Sequence, residues 1–150
     1  MREDLAQIAE TLLDYAENGK TFQTDKITTV PSGVYTDADL WQKEMDAVFK
    51  KLPLALAASA ELPEPGSYKA MEAVGLPILI TRDKDGQAHA FLNVCAHRGA
   101  PVADEGCGHK SRFTCKYHGW TYTNEGKLMG VAEAHTFGDI DQSTRGLTAL

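Results

Sequence analysis

The pattern of apolar and polar positions changes character once along the chain. Between residues 3 and 18, Leu5, Ile8, Ala9, Leu12, Leu13 and Ala16 recur at helical spacing, which predicts a helix with one apolar face. Asn18-Gly19 supplies its stop. A second helix is expected from about Thr36, read as the N-cap, with Asp37 and Asp39 in its first turn and Leu40, Trp41, Met45, Val48 and Phe49 as its buried face. Pro53 ends it at the latest.

Beyond Pro53 the period becomes strand-like. Leu54–Ala58 is a short apolar run, Ser67–Val74 partly alternates, and Ile78–Thr81 reads as a strand. Asp83-Lys84-Asp85-Gly86 is a hairpin turn returning into Gln87–Val94. Arg112–Cys115 and Thr121–Tyr122 are further short strands, and Asn124-Glu125-Gly126 turns the chain into Lys127–Leu128. The stretch around Cys107 and His109 reads as a polar, Gly-rich loop. The fold class expected is α+β, mainly antiparallel β behind two N-terminal helices, with a helical segment at 1–52 packing on a β-domain at 53–150.

Composition narrows this further. The 150 residues are 43% hydrophobic and 24% charged, which suits one folded domain and excludes disorder or low complexity as a description of the whole. No apolar run reaches the roughly 18 residues of a membrane span, and the acidic start Met1-Arg2-Glu3-Asp4 is unlike a secretory signal, so a cytoplasmic protein is expected. The net charge is −6, and the whole acidic excess lies in residues 1–75, with 7 Lys/Arg against 13 Asp/Glu. That distribution argues against a nucleic-acid footprint. Three cysteines make a poor disulfide framework, and all three, with all five histidines, lie between His89 and His135.

Two segments concentrate the chemistry, Cys95-Ala96-His97-Arg98-Gly99 and Cys115-Lys116-Tyr117-His118-Gly119-Trp120. Each pairs a thiol with an imidazole, and each is expected in a loop that follows a strand. Thiolate and imidazole together suit zinc, held by all four side chains in one tetrahedron, or an iron–sulfur cluster with two thiolates on one iron and two imidazoles on the other. The glycines favour the cluster, because they let backbone approach and aim N–H groups at sulfur. His89 reads as a surface residue, His109 as a loop residue and His135 as unpartnered at ligand spacing. Trp120 and Tyr117 are expected to pack over the ligand loops, and Cys107 to be a free thiol.

The run Cys-Ala-His-Arg-Gly followed by Cys-Lys-Tyr-His-Gly-Trp resembles the Rieske [2Fe–2S] motif. More narrowly it is similar to the N-terminal Rieske domain of the α-subunit of aromatic-ring-hydroxylating oxygenases, the Rieske non-haem iron oxygenases. Leu62-Pro63-Glu64-Pro65-Gly66-Ser67-Tyr68, Pro77–Asp83, Phe91-Leu92-Asn93-Val94-Cys95 and Gly126-Lys127-Leu128 extend the likeness over roughly residues 35–150. The resemblance implies a [2Fe–2S] cluster with Cys95 and Cys115 on the inner iron and His97 and His118 on the outer iron. High-potential Rieske proteins carry an added cysteine in each loop; the corresponding neighbourhoods here contain none, so the resemblance implies a low-potential centre without a disulfide. It also implies an oxidoreductase of the dioxygenase or monooxygenase class. Such an oxygenase takes electrons from a ferredoxin or flavin reductase and passes them to a mononuclear non-haem Fe(II) in a catalytic domain or neighbouring α-subunit, within an oligomer. The D-x-x-H-x-x-x-x-H pattern that the family uses for that iron does not occur in these residues. The expectation is therefore electron transfer by a Rieske portion whose oxygen-activating site lies outside the chain. The alternatives are a stand-alone Rieske-type ferredoxin and a zinc-binding structural module.

Overall fold

The structure is a computed structural model that describes residues 3–24 and 26–150. The chain divides into two compact units, Met1–Trp41 and Gln42–Leu150. In the first, α1 runs Glu3–Glu17, as its apolar spacing predicts, and Gly19 follows at φ 60°. Its apolar stripe is open: Leu5, Ile8, Leu12 and Leu13 are all more than half exposed. The second helix, α2, covers Ala38–Glu44, so that it starts in the first unit and ends in the second, and its cap is Asp37 rather than Thr36. The Asp37 carboxylate accepts from the N–H groups of Asp39 and Leu40 at 2.9 and 3.0 Å and places negative charge at the positive helix end. The chain then continues as a π-helical turn, Met45–Phe49. The face expected to be buried is largely open, with Trp41 at 56% and Val48 at 40% exposed.

The second unit is built from two antiparallel sheets. One has the strand order β3-β2-β1-β4, with β1 Ser67–Ala73, β2 Leu76–Arg82, β3 Ala88–Leu92 and β4 Gly106–His109. The other has the order β5-β6-β7, with β5 Arg112–Thr114, β6 Thr121–Thr123 and β7 Leu128–Gly130. β1 and β2 register through Ala70↔Leu79, and β2 and β3 through Leu79↔Phe91. The hairpin turn at Asp83–Gly86 stands where the sequence placed it. Asp83 Oδ1 accepts from the N–H groups of Asp85 and Gln87 at 2.9 and 2.8 Å.

Burial explains why β2 reads as a continuous apolar run. Ile78, Leu79, Ile80 and Thr81 are all buried because the strand is covered on both faces. Ile78 and Ile80 pack with Leu62, Leu56 and Ala57, so the apolar run 54–58 serves as cover without becoming a strand. Leu79 joins the main core with Phe91, Phe113, Tyr122, Leu128, Leu147 and both cysteines Cys95 and Cys115. Each large apolar side chain buried there is worth about 1.5–3 kcal/mol. Thr81 Oγ1 donates to the Asn124 carbonyl at 2.6 Å and ties the first sheet to the hairpin of the second. The apolar C-terminal run adds a short pairing, Phe91↔Ala149.

One strand was not expected. β4 lies where the sequence suggested a loop, and every one of its residues is exposed. An edge strand with two glycines and no buried face shows no alternation, and its pairing to β1 alone makes it a strand.

Candidate metal centre

Both cysteine–histidine segments fold into loops with the same backbone closure. In the first, the Cys95 N–H donates to the Ala100 carbonyl at 2.8 Å, and the Gly99 N–H donates back to the Cys95 carbonyl at 2.9 Å. In the second, the Cys115 N–H donates to the Trp120 carbonyl at 2.8 Å, and the Gly119 N–H to the Cys115 carbonyl at 2.9 Å. The glycine four residues after each cysteine has positive φ, 75° at Gly99 and 68° at Gly119. A side chain is strained in that conformation, and at Gly119 a Cβ would also sit 2.8 Å from Ala132 Cβ.

The thiols and imidazoles occupy different depths. Cys95 is 2% and Cys115 3% exposed, within the core. Tyr122 joins them: its hydroxyl lies 3.1 Å from Cys95 Sγ and accepts from the Ala96 N–H at 3.0 Å. Burial, then the hydrogen bond to Cys95, with smaller contributions from the charges of both cysteines, holds the Tyr122 phenol well above its ordinary pKa, so it remains a donor. The His97 and His118 rings stand together nearer the surface, 4.5 Å between centroids. Trp120, 2% exposed, stacks on His97 at 5.0 Å and 10°, and Phe137 meets the same ring edge-on at 5.3 Å. Tyr117 lies against His118 at 3.7 Å but is 61% exposed, so of the two aromatics expected over the loops only Trp120 is enclosed. His118 also lines a cavity of about 320 Å³ with Ala132, Glu133, Thr136 and Phe137.

Burial, then the neighbouring charges of His118 and Arg98, lowers the His97 pKa and favours its neutral form, the one that binds metal. His97 Nδ1 and Trp120 Nε1 are buried without a protein partner. Buried polar atoms are rarely left so, which marks the place as one that accommodates a further group. Among the described residues, no three His, Cys, Asp or Glu side chains are arranged to hold a single metal ion. Two deep thiols and two shallow imidazoles suit an extended centre with softer and harder ends, and the residues present fit a [2Fe–2S] cluster in donor chemistry.

The remaining candidates fall outside this place. His89 Nε2 pairs with Asp83 Oδ2 at 2.7 Å at the hairpin turn. His109 sits on β4, not in a loop, with Nε2 2.8 Å from the Pro65 carbonyl. His135 is exposed in a 3-10 turn, Ala134–Thr136. Cys107 is a free, exposed thiol on β4. Tyr122 is the residue that sequence reasoning missed. The available signal was its inward position in a strand flanked by Thr121 and Thr123, seven residues after Cys115.

Residues 53–140 match the family model described as the Rieske [2Fe-2S] domain. Among curated proteins, the chain is 39% identical over 110 residues to the chlorobenzene dioxygenase subunit alpha of Cupriavidus sp. (strain PS12), covering 73% of this chain and 24% of that protein. It is 33% identical over 142 residues to a benzene 1,2-dioxygenase subunit alpha of Pseudomonas putida, covering 91% and 32%. Among solved structures, it is similar to naphthalene 1,2-dioxygenase from Rhodococcus sp., with a TM-score of 0.74, 30% identity, and coverage of 99% of this chain and 32% of that one. A quaternary ammonium Rieske monooxygenase gives a TM-score of 0.73 at 32% identity, covering 81% and 34%. The chain thus spans about a quarter to a third of the length of these relatives.

Proposed function

The chain belongs to the Rieske [2Fe-2S] domain family, and from that premise we propose that Cys95, His97, Cys115 and His118 hold a [2Fe–2S] cluster serving electron transfer in a ring-hydroxylating oxygenase. The observation that carries this reading is the pair of equivalent loops, each presenting one buried thiol and one half-buried imidazole. When bound, the cluster supplies reversible one-electron chemistry. Cys95 and Cys115 would bind as thiolates at the inner iron, and His97 and His118 as neutral imidazoles at the outer iron. Replacing two thiolates by two neutral rings removes negative charge and raises the potential above that of an all-cysteine site. Tyr122 keeps its proton and donates it towards Cys95 Sγ, stabilising negative charge on that sulfur. Trp120 and Phe137 keep water from His97, while exposed Tyr117 and the cavity beside His118 leave that edge accessible to a redox partner.

In a complete oxygenase, the residues that hold the cluster would relay electrons from a ferredoxin or flavin reductase towards a mononuclear non-haem iron, which would supply the oxygen chemistry. The role proposed for these residues is electron transfer. Among the described residues, no helix is long and apolar enough to cross a membrane.

The test is aerobic purification with iron and acid-labile sulfide analysis, a visible spectrum, and EPR after dithionite reduction. Two iron and two sulfide per chain with a Rieske-type reduced signal are expected. A colourless protein with one zinc and no sulfide contradicts the reading.

A further inference from the structure

The two ligand loops close alike at their tips but not at their bases. The second joins β5 to β6, which pair directly through Thr114↔Thr121, so a strand ladder fixes its ends. The first leaves β3 and leads to β4, which lie at opposite edges of their sheet. No ladder joins those two strands, and the ends of that loop need another tie.

Asn93 supplies one. It follows β3, is 5% exposed, and bonds the far end of the loop through both the nitrogen and the oxygen of its amide. Its Nδ2 donates to the Ala103 carbonyl at 2.8 Å, and its Oδ1 accepts from the N–H groups of Val102 and Ala103 at 3.0 and 3.1 Å. Its own N–H donates to the Pro77 carbonyl at 2.8 Å, anchoring the tie to β2. Only a side chain with a donor and an acceptor on one planar group makes this set of bonds. Val102 and Ala103 are themselves buried in the core with Cys95, so the tied end cannot drift.

We propose that Asn93 is the positioning residue of the first ligand loop, holding residues 94–103 in one shape so that Cys95 and His97 are presented ready for the cofactor. The proposal rests on the cluster assignment above and assigns Asn93 no contact with the cluster. Asn93 bonds neither proposed ligand, so its effect is expected at the low end of the roughly 10- to 100-fold that groups hydrogen-bonded directly to metal ligands contribute to affinity.

The experiment uses the full chain with Asn93→Ala and Asn93→Asp, the latter keeping the acceptor and losing the donor. Asn124→Ala is the control, because Asn124 is an equally buried amide that donates to the Arg82 and Lys110 carbonyls in the hairpin region, outside both ligand loops. For Asn93→Ala, iron release to a ferrous chelator after reduction is expected to be up to about tenfold faster, with shifted or broadened EPR g-values. Asn93→Asp falls between it and the parent and gives the reading if the alanine variant does not fold. Asn124→Ala lowers the melting temperature but leaves release rate and g-values unchanged. The proposal is overturned if Asn93 variants keep the parental g-values and release rate, or if Asn124→Ala changes them equally. Amide hydrogen exchange at Val102 and Ala103, measured without cluster, separates the two layers. Faster exchange in the Asn93 variants supports the tie even if the parent binds no cluster, and unchanged exchange refutes it.

Discussion

The two ligand loops solve one problem from different starting points. Each folds a cysteine N–H onto a carbonyl five residues on and returns a glycine N–H to the cysteine carbonyl. Yet the histidine stands two residues after Cys95 in one and three after Cys115 in the other. The second loop rides on a hairpin, whereas the first bridges two strands that never pair and depends on a buried amide. The two loops thus share a tip on unlike bases, and on the proposed reading the tip serves the cofactor while the base follows the local topology.

Removing a thiol should have the largest effect. Cys95→Ser and Cys115→Ser should each abolish cluster assembly, read as loss of visible absorbance and acid-labile sulfide. A parental spectrum from either variant would remove that cysteine from the ligand set. The glycines come next and should separate the loops. Gly119→Ala meets both a positive φ and the Ala132 contact at 2.8 Å, whereas Gly99→Ala meets a positive φ with its nearest neighbour, Val94 Cγ1, at 4.0 Å. A left-handed alanine alone costs about 1–2 kcal/mol. Gly119→Ala should therefore lower the denaturant midpoint clearly more than Gly99→Ala. Equal losses would mean that the packing of Ala132 is irrelevant.

A smaller effect is expected from Tyr122→Phe, which removes a proton donor from Cys95 Sγ and leaves the ring in the core. Reduction adds negative charge, so loss of the donor should lower the midpoint potential. A net contribution of about 1 kcal/mol corresponds to roughly 40 mV for one electron. An unchanged potential would show that the hydroxyl serves the Ala96 N–H alone.

The smallest effect belongs to the Asp83 turn, which joins β2 to β3 outside both loops. Its carboxyl is held below the ordinary 3.8 first by the hydrogen bond to His89, then by the N–H groups of Gln87 and Asp85. A depressed carboxylate contributes stability that is complete above its unfolded pKa and is lost as pH falls through the folded one. The melting temperature should therefore drop below about pH 4, and Asp83→Asn should remove part of that acid limb, the rest belonging to Asp46, Glu61, Asp104 and Asp141, which are also held below their ordinary values, while leaving the reduced EPR signal untouched. An acid limb identical to the parent's would show that Asp83 contributes nothing to it.

Much of this architecture is legible in the sequence because local chemistry writes it. Asp85-Gly86 and Asn124-Glu125-Gly126 mark turns, and the apolar run of β2 reflects burial on both faces. Both cysteine–histidine pairs lie in loops after strands, as their flanking patterns indicate. Features that depend on distant partners are not legible. β4 exists because β1 offers it a ladder, and Tyr122 and Asn93 look like ordinary strand-end residues until the fold brings Cys95 and Ala103 to them. The exposed apolar faces of α1 and α2 mark the same limit, since periodicity identifies a helix without saying what covers it.

The central claim is that both loops contribute an imidazole to one redox centre. The direct measurement is pulsed EPR of the dithionite-reduced protein grown with 15N-histidine. Two inequivalent histidine nitrogen couplings to the cluster spin are expected, one from His97 and one from His118. One coupling, or none, would contradict it.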